Sequence, residues 1–403
     1  MTNAAGTRPE QLRDRMVDRI RTAGHLRSPR VEHALRTVPR HRFVPEASTE
    51  DAYADKAITI KPGTDRPASC ISVPTVVAMM LDQLDPQPGE RILEIGAGTG
   101  YNAALLAELV GPEGRVTTVD IHSDVVDHAR RTLAETGYSR VRVVNADGVL
   151  GYPQDAPYDR IIVTVGPWDL PRAWFDQLRD GGRLVVPLHW RGQSRSIAFT
   201  RYADKLRATD SRLCGFIPMV GNSDGERTAE ITDHVALYWD AGQDISPTAL
   251  HSVFTRSEST VWSGVTVAAN EPFDHVWLWL SATEPGTCRL AAEPAAIDAG
   301  VCHAVFPYRT PAIVEGDSLA YLTRPRPVDQ DDEPRFELGA TGHGPAGTDL
   351  AERLCASIRL WDRDRDAQPV ITVWPTAVGH ADPQHHEGVV IDKEHVRLVL
   401  THR

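Results

Sequence analysis

The glycine-rich turn Leu93-Glu94-Ile95-Gly96-Ala97-Gly98-Thr99-Gly100-Tyr101 restricts this chain more than any other feature, because it joins a β-branched run to a helical pattern. RILEIGAG (91–98), RVTTVDI (115–121), VRVVNAD (141–147), DRIIVTV (159–165) and GRLVVPL (182–188) read as strands. Asn102 to Val110, Val125 to Thr136 and Pro171 to Leu178 read as the helices between them. Strands separated by helices imply a parallel sheet with right-handed crossovers. Ligands of such sheets sit beyond the carboxyl ends of the strands. The expected fold is therefore α/β, a Rossmann-like doubly wound sheet.

The composition of the turn narrows the ligand. Glycines let the backbone approach a ligand with no Cβ in the way. A GxGxxG turn at a helix N-terminus suits a pyrophosphate, but the spacing here is GxGxG, through Gly96, Gly98 and Gly100. Glu94 would repel a phosphate and attract a sulfonium and an amino group. Asp120 ends the second strand, where a carboxylate accepts from both ribose hydroxyls, with Ile121 beside it. Asp147-Gly148 ends the third, where a carboxylate can accept from an adenine amine. Either aspartate alone reads equally as a helix cap; together, in order at successive strand ends, they support one another. The cofactor expected is S-adenosylmethionine, leaving as S-adenosylhomocysteine.

Before this region, Met16, Val17 and Ile20, then Val31, Ala34, Leu35 and Val38, mark two amphipathic helices broken at Gly24 and Pro29. A third helix is expected over 74–84, with Pro74 in its first turn. Residues 1–42 hold ten Arg against four Asp or Glu, which reads as a solvated helix face before it reads as a dock for an acidic peptide. The whole chain carries a net charge of −12, which disfavours general nucleic-acid binding. No apolar run reaches membrane-span length and no secretory h-region is evident, so no membrane partner is expected. Cys70, Cys214, Cys288, Cys302 and Cys355 are scattered without a CxxC pair. That pattern fits a reducing, cytoplasmic setting and no zinc site. His385-His386 reads as a surface pair and Asp329 to Glu333 as a solvated loop. No metal is expected.

Several blocks, in order, resemble the protein-L-isoaspartate O-methyltransferases. They are Val38-Pro39-Arg40-His41-Arg42-Phe43-Val44-Pro45, Ala52-Tyr53-Ala54-Asp55, Ile71-Ser72-Val73-Pro74, LEIGAGTGY, ADG (146–148), APYDRIIVT (156–164), QLRDGGRLVVP (177–187) and GFIPM (215–219). The resemblance runs from about residue 12 to 221. It implies a class I S-adenosylmethionine-dependent methyltransferase fold and transfer of a methyl group to a carboxylate. By the same resemblance Ser72 stands near the transferred methyl, where the residue reading alone gives a helix cap. Ser69, Cys70, Ile71 and Ser72 match a loop closing over the cofactor, and Val165, Gly166, Pro167 and Trp168 match the wall of the acceptor pocket. Two departures fall there. The family has Gln or Ala, then Thr, where Ser69 and Cys70 stand, and an Ala-rich turn ending in Pro where Val165 to Trp168 stand.

Residues 222–227 (NSDGER) read as a polar linker. The domains expected are 1–85 (helices and loop), 86–222 (methyltransferase core) and 223–403 (an α+β domain for substrate recognition). In the last, VWLWL (276–280), VITVW (370–374) and VRLVL (396–400) read as strands, residues 350–363 as a helix, and the tryptophans as core. Asp317-Ser318-Leu319-Ala320-Tyr321-Leu322 and Gly342-His343-Gly344-Pro345 resemble extended homologues associated with ribosomally made, modified peptides of lanthipeptide, graspetide and FxLD type. That resemblance implies esterification of an aspartyl carboxylate in a modified precursor peptide, leading to aspartimide or isoaspartate. General isoaspartyl repair is the competing enzymatic reading. A peptide-binding protein with an inert core is the non-enzymatic one.

Overall fold

The computed structural model describes residues 8–64, 66–222, 225–328, 334–376 and 388–402. His385-His386 and Asp329 to Glu333 lie outside the described residues. The chain forms two compact units, residues 1–188 with 195–222, and residues 189–194 with 223–403.

The first unit opens with helices α1 (Pro9–Thr22), α2 (Pro29–Thr37) and α3 (Thr49–Tyr53), followed by the hairpin strands β1 (Ile58–Lys61) and β2 (Ser69–Ile71) and helix α4 (Pro74–Leu84). Pro9, Pro29 and Pro74 each stand in a first turn, where the missing N–H costs nothing. Ser28 caps α2 by accepting from Val31 N at 3.4 Å. The arginine surplus is largely engaged. Arg36 pairs with Asp14, Asp18 and Glu32 at 3.1, 2.6 and 2.8 Å, and Arg13 and Arg19 donate to the carbonyls of Thr37 and Tyr53.

The alternating region forms β3 (Arg91–Ile95), α5 (Tyr101–Val110), β4 (Arg115–Asp120), α6 (Ser123–Glu135), β5 (Arg142–Asn145), β6 (Tyr158–Val163) and α7 (Arg172–Gln177). A long hairpin follows, with β7 (Leu178–Trp190), β8 (Gln193–Tyr202) and β9 (Lys205–Leu213). The strand order is β5-β4-β3-β6-β7-β8-β9. Strands β3 to β7 pair in parallel, and β8 pairs with β9 antiparallel. From β3 the chain goes to β4 on one side and later returns to β6 on the other. The loops after β3 and β6 therefore diverge and open a crevice at the carboxyl edge. Residues of α1, α2, α4 and α5 share one apolar core with β3, β6 and β7, so the N-terminal helices belong to the same body as the sheet. Strands β8 and β9, and the run of β7 out to Trp190, were not legible as strands.

The second unit contains β10 (Glu226–Thr232), β11 (Val235–Asp240), β12 (Glu258–Ala268), α8 (His275–Thr283), β13 (Thr287–Ala292), α9 (Pro294–Asp298), β14 (Thr310–Glu315), β15 (Ser318–Leu322), β16 (Arg326–Val328), β17 (Arg335–His343), α10 (Gly347–Asp362), β18 (Val370–Pro375), β19 (Val389–Asp392) and β20 (Val396–Thr401). An antiparallel sheet runs β10-β11-β13-β14-β15-β17-β12, with β16 beside β17, while β18 and β19 pair with β20. One core gathers around Leu237, Leu290 and Tyr321, another around Trp279, Leu354 and Trp361. The reading of VWLWL as a strand is corrected: residues 276–280 lie in α8. Val276 to Ala282 are all buried, so the helix has no polar face and its sequence no 3.6-residue signal.

The β7–β8 tip belongs to the second unit. There Trp190 Nε1 donates to Ser281 Oγ at 3.2 Å, Arg191 N to Asp240 Oδ1 at 2.7 Å, and Lys393 Nζ to the His189 carbonyl at 2.7 Å. No helix among the described residues is long and apolar enough to cross a membrane, and the five cysteines are free.

Candidate active site

At the carboxyl edge of β3 the chain must leave the sheet and start α5 within a few residues. Gly96, Gly98 and Gly100 make this possible by adopting φ of +100°, +50° and +83°, values that cost L-residues with a Cβ strain. Gly96 N and Ala97 N donate to the Val119 carbonyl at 2.8 and 3.1 Å, and Thr164 Oγ1, just past β6, donates to the Gly96 carbonyl at 2.8 Å. The turn is thus fixed from both neighbouring strands. A Cβ on Gly96 would stand 2.6 Å from Thr164 Oγ1, and one on Gly148 would stand 2.6 Å from Ile95 Cγ2. Trp174 holds Gly148 by donating to its carbonyl at 2.9 Å.

This turn bounds a cavity of about 550 Å³. Ser69, Cys70, Ile71 and Ser72 line it from β2 and the start of α4, Glu94, Gly96 and Gly98 from the turn, and Asp120, Ile121, Asp147 and Gly148 from the next strand ends. Val165 also lines it. Gly100 does not: it sits behind the turn, where a Cβ would meet Leu133 at 3.0 Å. Gly166, Pro167 and Trp168 also stand off the lining. Gly166 N donates to the Ile217 carbonyl at 2.7 Å, Met219 N to the Gly166 carbonyl at 2.8 Å, and Trp168 N to the Asn222 carbonyl at 2.8 Å. Gly166 therefore braces the 215–220 segment, which lines the cavity, and Trp168 ties the chain just beyond it at Asn222.

The charges divide by role. Glu94 is buried; its Oε1 accepts from Asn102 Nδ2 at 2.7 Å, and its Oε2 is buried with no partner. Burial pushes its carboxyl up to about 7, against the pull of the Thr118 hydroxyl beside it and of the Asn102 bond, while Asp120 adds to the rise. Asp120 accepts from Gly98 N at 3.3 Å and from His122 N at 3.1 Å, which orients it across the cavity floor. Asp147 accepts from Val149 N at 2.9 Å, so it also caps the short turn after β5. An orphaned buried carboxylate oxygen and a glycine cradle that a Cβ would fill fit S-adenosylmethionine. Glu94 would face its cationic end, Asp120 its ribose, and Asp147 with half-exposed Ile121 its adenine.

Ser72 lies between β2 and α4. The cap position of α4 falls on Val73, with no side-chain cap, while Asp55 Oδ1 accepts from Thr75 N and Thr75 Oγ1 at 3.1 and 2.7 Å. The capping role open to Ser72 is thus filled by Asp55. Within the described residues the Ser72 hydroxyl has no hydrogen-bond partner. Its carbonyl accepts from Arg40 Nη2 at 2.8 Å, and Arg40 Nε donates to the Ala52 carbonyl at 2.7 Å. Arg40 is fully buried, over the Tyr101 ring at 5.1 Å.

Residue reasoning missed Arg40, Arg66, Thr164, Asn102 and the Gly215–Val220 wall. The GFIPM block carried a signal for the wall, as one of the matching segments. Arg40 and Asn102 carried none, because an Arg in a basic stretch and an Asn in a helix read as surface.

A seven-stranded sheet with this strand order, a glycine turn after its central strand and acidic residues at successive strand ends defines a class I S-adenosylmethionine-dependent methyltransferase. The family described as protein-L-isoaspartate(D-aspartate) O-methyltransferase (PCMT) matches residues 11–224. A protein-L-isoaspartate O-methyltransferase of Methanopyrus kandleri is 44% identical over 213 residues, 52% of this chain and 92% of that protein. One of Staphylothermus marinus is 40% identical over 222 residues, 53% of this chain and 96% of that protein. A crystal structure of a putative protein-L-isoaspartate O-methyltransferase from Plasmodium falciparum in complex with S-adenosyl-L-homocysteine aligns with a TM-score of 0.46 at 18% identity, over 52% of this chain and 99% of that chain. The chain belongs to the protein-L-isoaspartate O-methyltransferase family, and its cofactor is S-adenosylmethionine. About half of the chain lies beyond the region these relatives cover.

Proposed function

We propose that the protein esterifies the free α-carboxylate of L-isoaspartyl residues in proteins and peptides. The observation that carries this reading is one continuous cavity lined both by the cofactor turn and by Ser72. S-adenosylmethionine supplies the methyl group on a sulfonium. A carboxylate is already ionised at neutral pH and is itself the nucleophile, so the chain has no proton to remove. Its task is alignment and exclusion of water. The free Ser72 hydroxyl donates to the acceptor carboxylate, and Val73, Val76, Val77 and Met80 form an apolar wall beside it. Arg40 holds the Ser72 carbonyl and Asp55 the Thr75 amide, so the backbone from Ser72 into α4 is fixed. Transfer neutralises carboxylate and sulfonium together, which a water-poor site favours.

The test is turnover by the full-length protein on two peptides that differ only in isoaspartyl or aspartyl linkage. Methanol released by base from the isoaspartyl peptide alone supports the reading. No ester on either peptide overturns it.

A second reading rests on the additional unit. Residues 225–403 lie outside the matched region, and the second unit has its own cores. It would select a modified ribosomal precursor peptide, whose ordinary aspartate is esterified in the same cavity; the following backbone nitrogen then attacks the ester and expels methanol to close an aspartimide, which water can open to isoaspartate. Selective contacts away from the carboxylate are what such an enzyme needs, since aspartate is abundant. The departures at Ser69, Cys70 and Val165 to Trp168 are compatible with it. Esterification of an aspartyl residue in a modified ribosomal precursor peptide, with no turnover of short isoaspartyl peptides, would favour this reading over the first.

A further inference from the structure

The acceptor is an anion, yet three of the residues lining the cavity are acidic: buried Glu94, half-buried Asp120 and exposed Asp147. Among the described lining residues the basic ones are His122 and a single guanidinium, that of Arg66. Arg66 stands in the turn joining β1 to β2, the hairpin that delivers Ser69 to Ser72 to the cavity. The turn is built closely. Ala68 N donates to the Lys61 carbonyl at 2.9 Å. Gly63 passes the Arg66 carbonyl where a Cβ would be 2.3 Å away, so no larger residue fits without a shift. Lys61 Nζ pairs with Asp124 Oδ1 at 2.7 Å and ties the hairpin to α6. Neighbouring cations in this region are engaged, but the exposed Arg66 guanidinium makes no hydrogen bond or ion pair within the described residues.

We infer that Arg66 is a specificity-determining residue that receives the acceptor carboxylate at the cavity mouth and passes it to Ser72. The inference rests on the isoaspartyl reading above. A planar guanidinium suits a carboxylate fork, and it offsets the repulsion an anion meets from the three acidic side chains. The pairing also distinguishes substrate from product. Methyl transfer removes the negative charge, so Arg66 holds the carboxylate and lets the ester go. Arg66 makes and breaks no covalent bond. It acts on binding, and the charge it carries should speed encounter at low salt.

The experiment uses the full-length protein, an isoaspartyl peptide and the variants R66Q, R66E and R66K. R66Q should raise KM for the peptide roughly fivefold, an exposed pair being weak. R66E should raise it further, and R66K, which keeps the charge but not the fork, should lose less than R66Q. The value of kcat should change little in all three. Added salt should lower kcat/KM of the wild type more steeply than that of R66Q, because the screened attraction is absent there. Calorimetry should give unchanged S-adenosylhomocysteine affinity. Unchanged KM in R66Q and R66E overturns the inference alone. A loss of cofactor affinity as large as the rise in KM also overturns it, by assigning Arg66 to the methionine carboxylate. A wild type that turns over no isoaspartyl peptide overturns the functional reading and the inference together.

Discussion

The cavity wall of the N-terminal unit and the Ser281 junction of the C-terminal unit use polar groups in opposite ways. In the N-terminal unit Glu94 keeps one carboxylate oxygen unpartnered at a cavity wall, and Ser72 presents a free hydroxyl to the same space. In the C-terminal unit Ser281 accepts from Trp190 and Gln193 and donates to the Leu278 carbonyl, and Ser263 donates to the Leu338 carbonyl. The first arrangement leaves bonding capacity for a ligand; the second uses it to join elements. Buried polar atoms are ordinarily satisfied, so an orphan beside a cavity points to chemistry, and a satisfied serine in a core points to packing.

The sharpest way to break this contrast is in the glycine turn. Gly96→Val combines a backbone at φ +100° with a Cβ 2.6 Å from Thr164 Oγ1. It should abolish detectable S-adenosylhomocysteine binding by calorimetry while circular dichroism shows a folded chain. Binding at wild-type affinity would detach the turn from the cofactor.

Next in size is a substitution on the other side of the comparison. Trp361 is 1% exposed in the α10 core. Trp361→Ala should cost about 3–5 kcal/mol of stability, read by denaturant unfolding, and leave cofactor affinity within about twofold. A large loss of affinity would mean that the C-terminal unit contributes to the cofactor site.

Asp120→Ala should weaken cofactor binding by roughly ten- to a hundredfold, the range for charge-assisted hydrogen bonds. Ser72→Ala should lower kcat by about tenfold, the lower end of the range for a hydrogen bond to a charged group, with cofactor affinity unchanged. If Ser72→Ala turned over at the wild-type rate, the free hydroxyl would have no part in the reaction.

The smallest effect concerns pH. Burial raises the Glu94 carboxyl from 4.5 to about 7. The native state therefore holds that proton more tightly than the unfolded chain. The resulting stability is complete below the unfolded value and is lost as pH rises through about 7. A cationic ligand favours the ionised form, so cofactor affinity should rise a few-fold between about pH 6 and 8 and binding should release a proton at the lower end. Glu94→Gln should flatten both trends. Proton-linked calorimetry in two buffers reads them.

Much of the N-terminal unit was legible because its chemistry limits the residues. Only glycine fits the turn after β3, and an acceptor for ribose must be acidic, so Gly96, Gly98, Asp120 and Asp147 stood out and do line one cavity. The positions that were not legible depend on distant partners. Arg40 reaches Ser72 across 32 residues and Thr164 reaches Gly96 across 68, and no local pattern encodes either. Of the four residues that resembled pocket wall, Val165 lines the cavity, while Gly166 and Trp168 hydrogen-bond to the backbone of residues 217–222. In the C-terminal unit, α8 is buried all round and so looked like a strand. The tip at 189–194 counts with that unit because Trp190 finds its partner 91 residues on. A chain cut after Asn222 would strip Trp190 of that burial, so the units are better probed by point substitutions than by truncation.

The most direct test of the account is a crystal structure of the full-length protein with S-adenosylhomocysteine and an isoaspartyl peptide. The account predicts the ribose hydroxyls on Asp120, the homocysteine end towards Glu94, and the isoaspartyl carboxylate within hydrogen-bond reach of Ser72 in the same cavity. A cofactor bound without Glu94 and Asp120, or a peptide whose carboxylate lies away from Ser72, would contradict it.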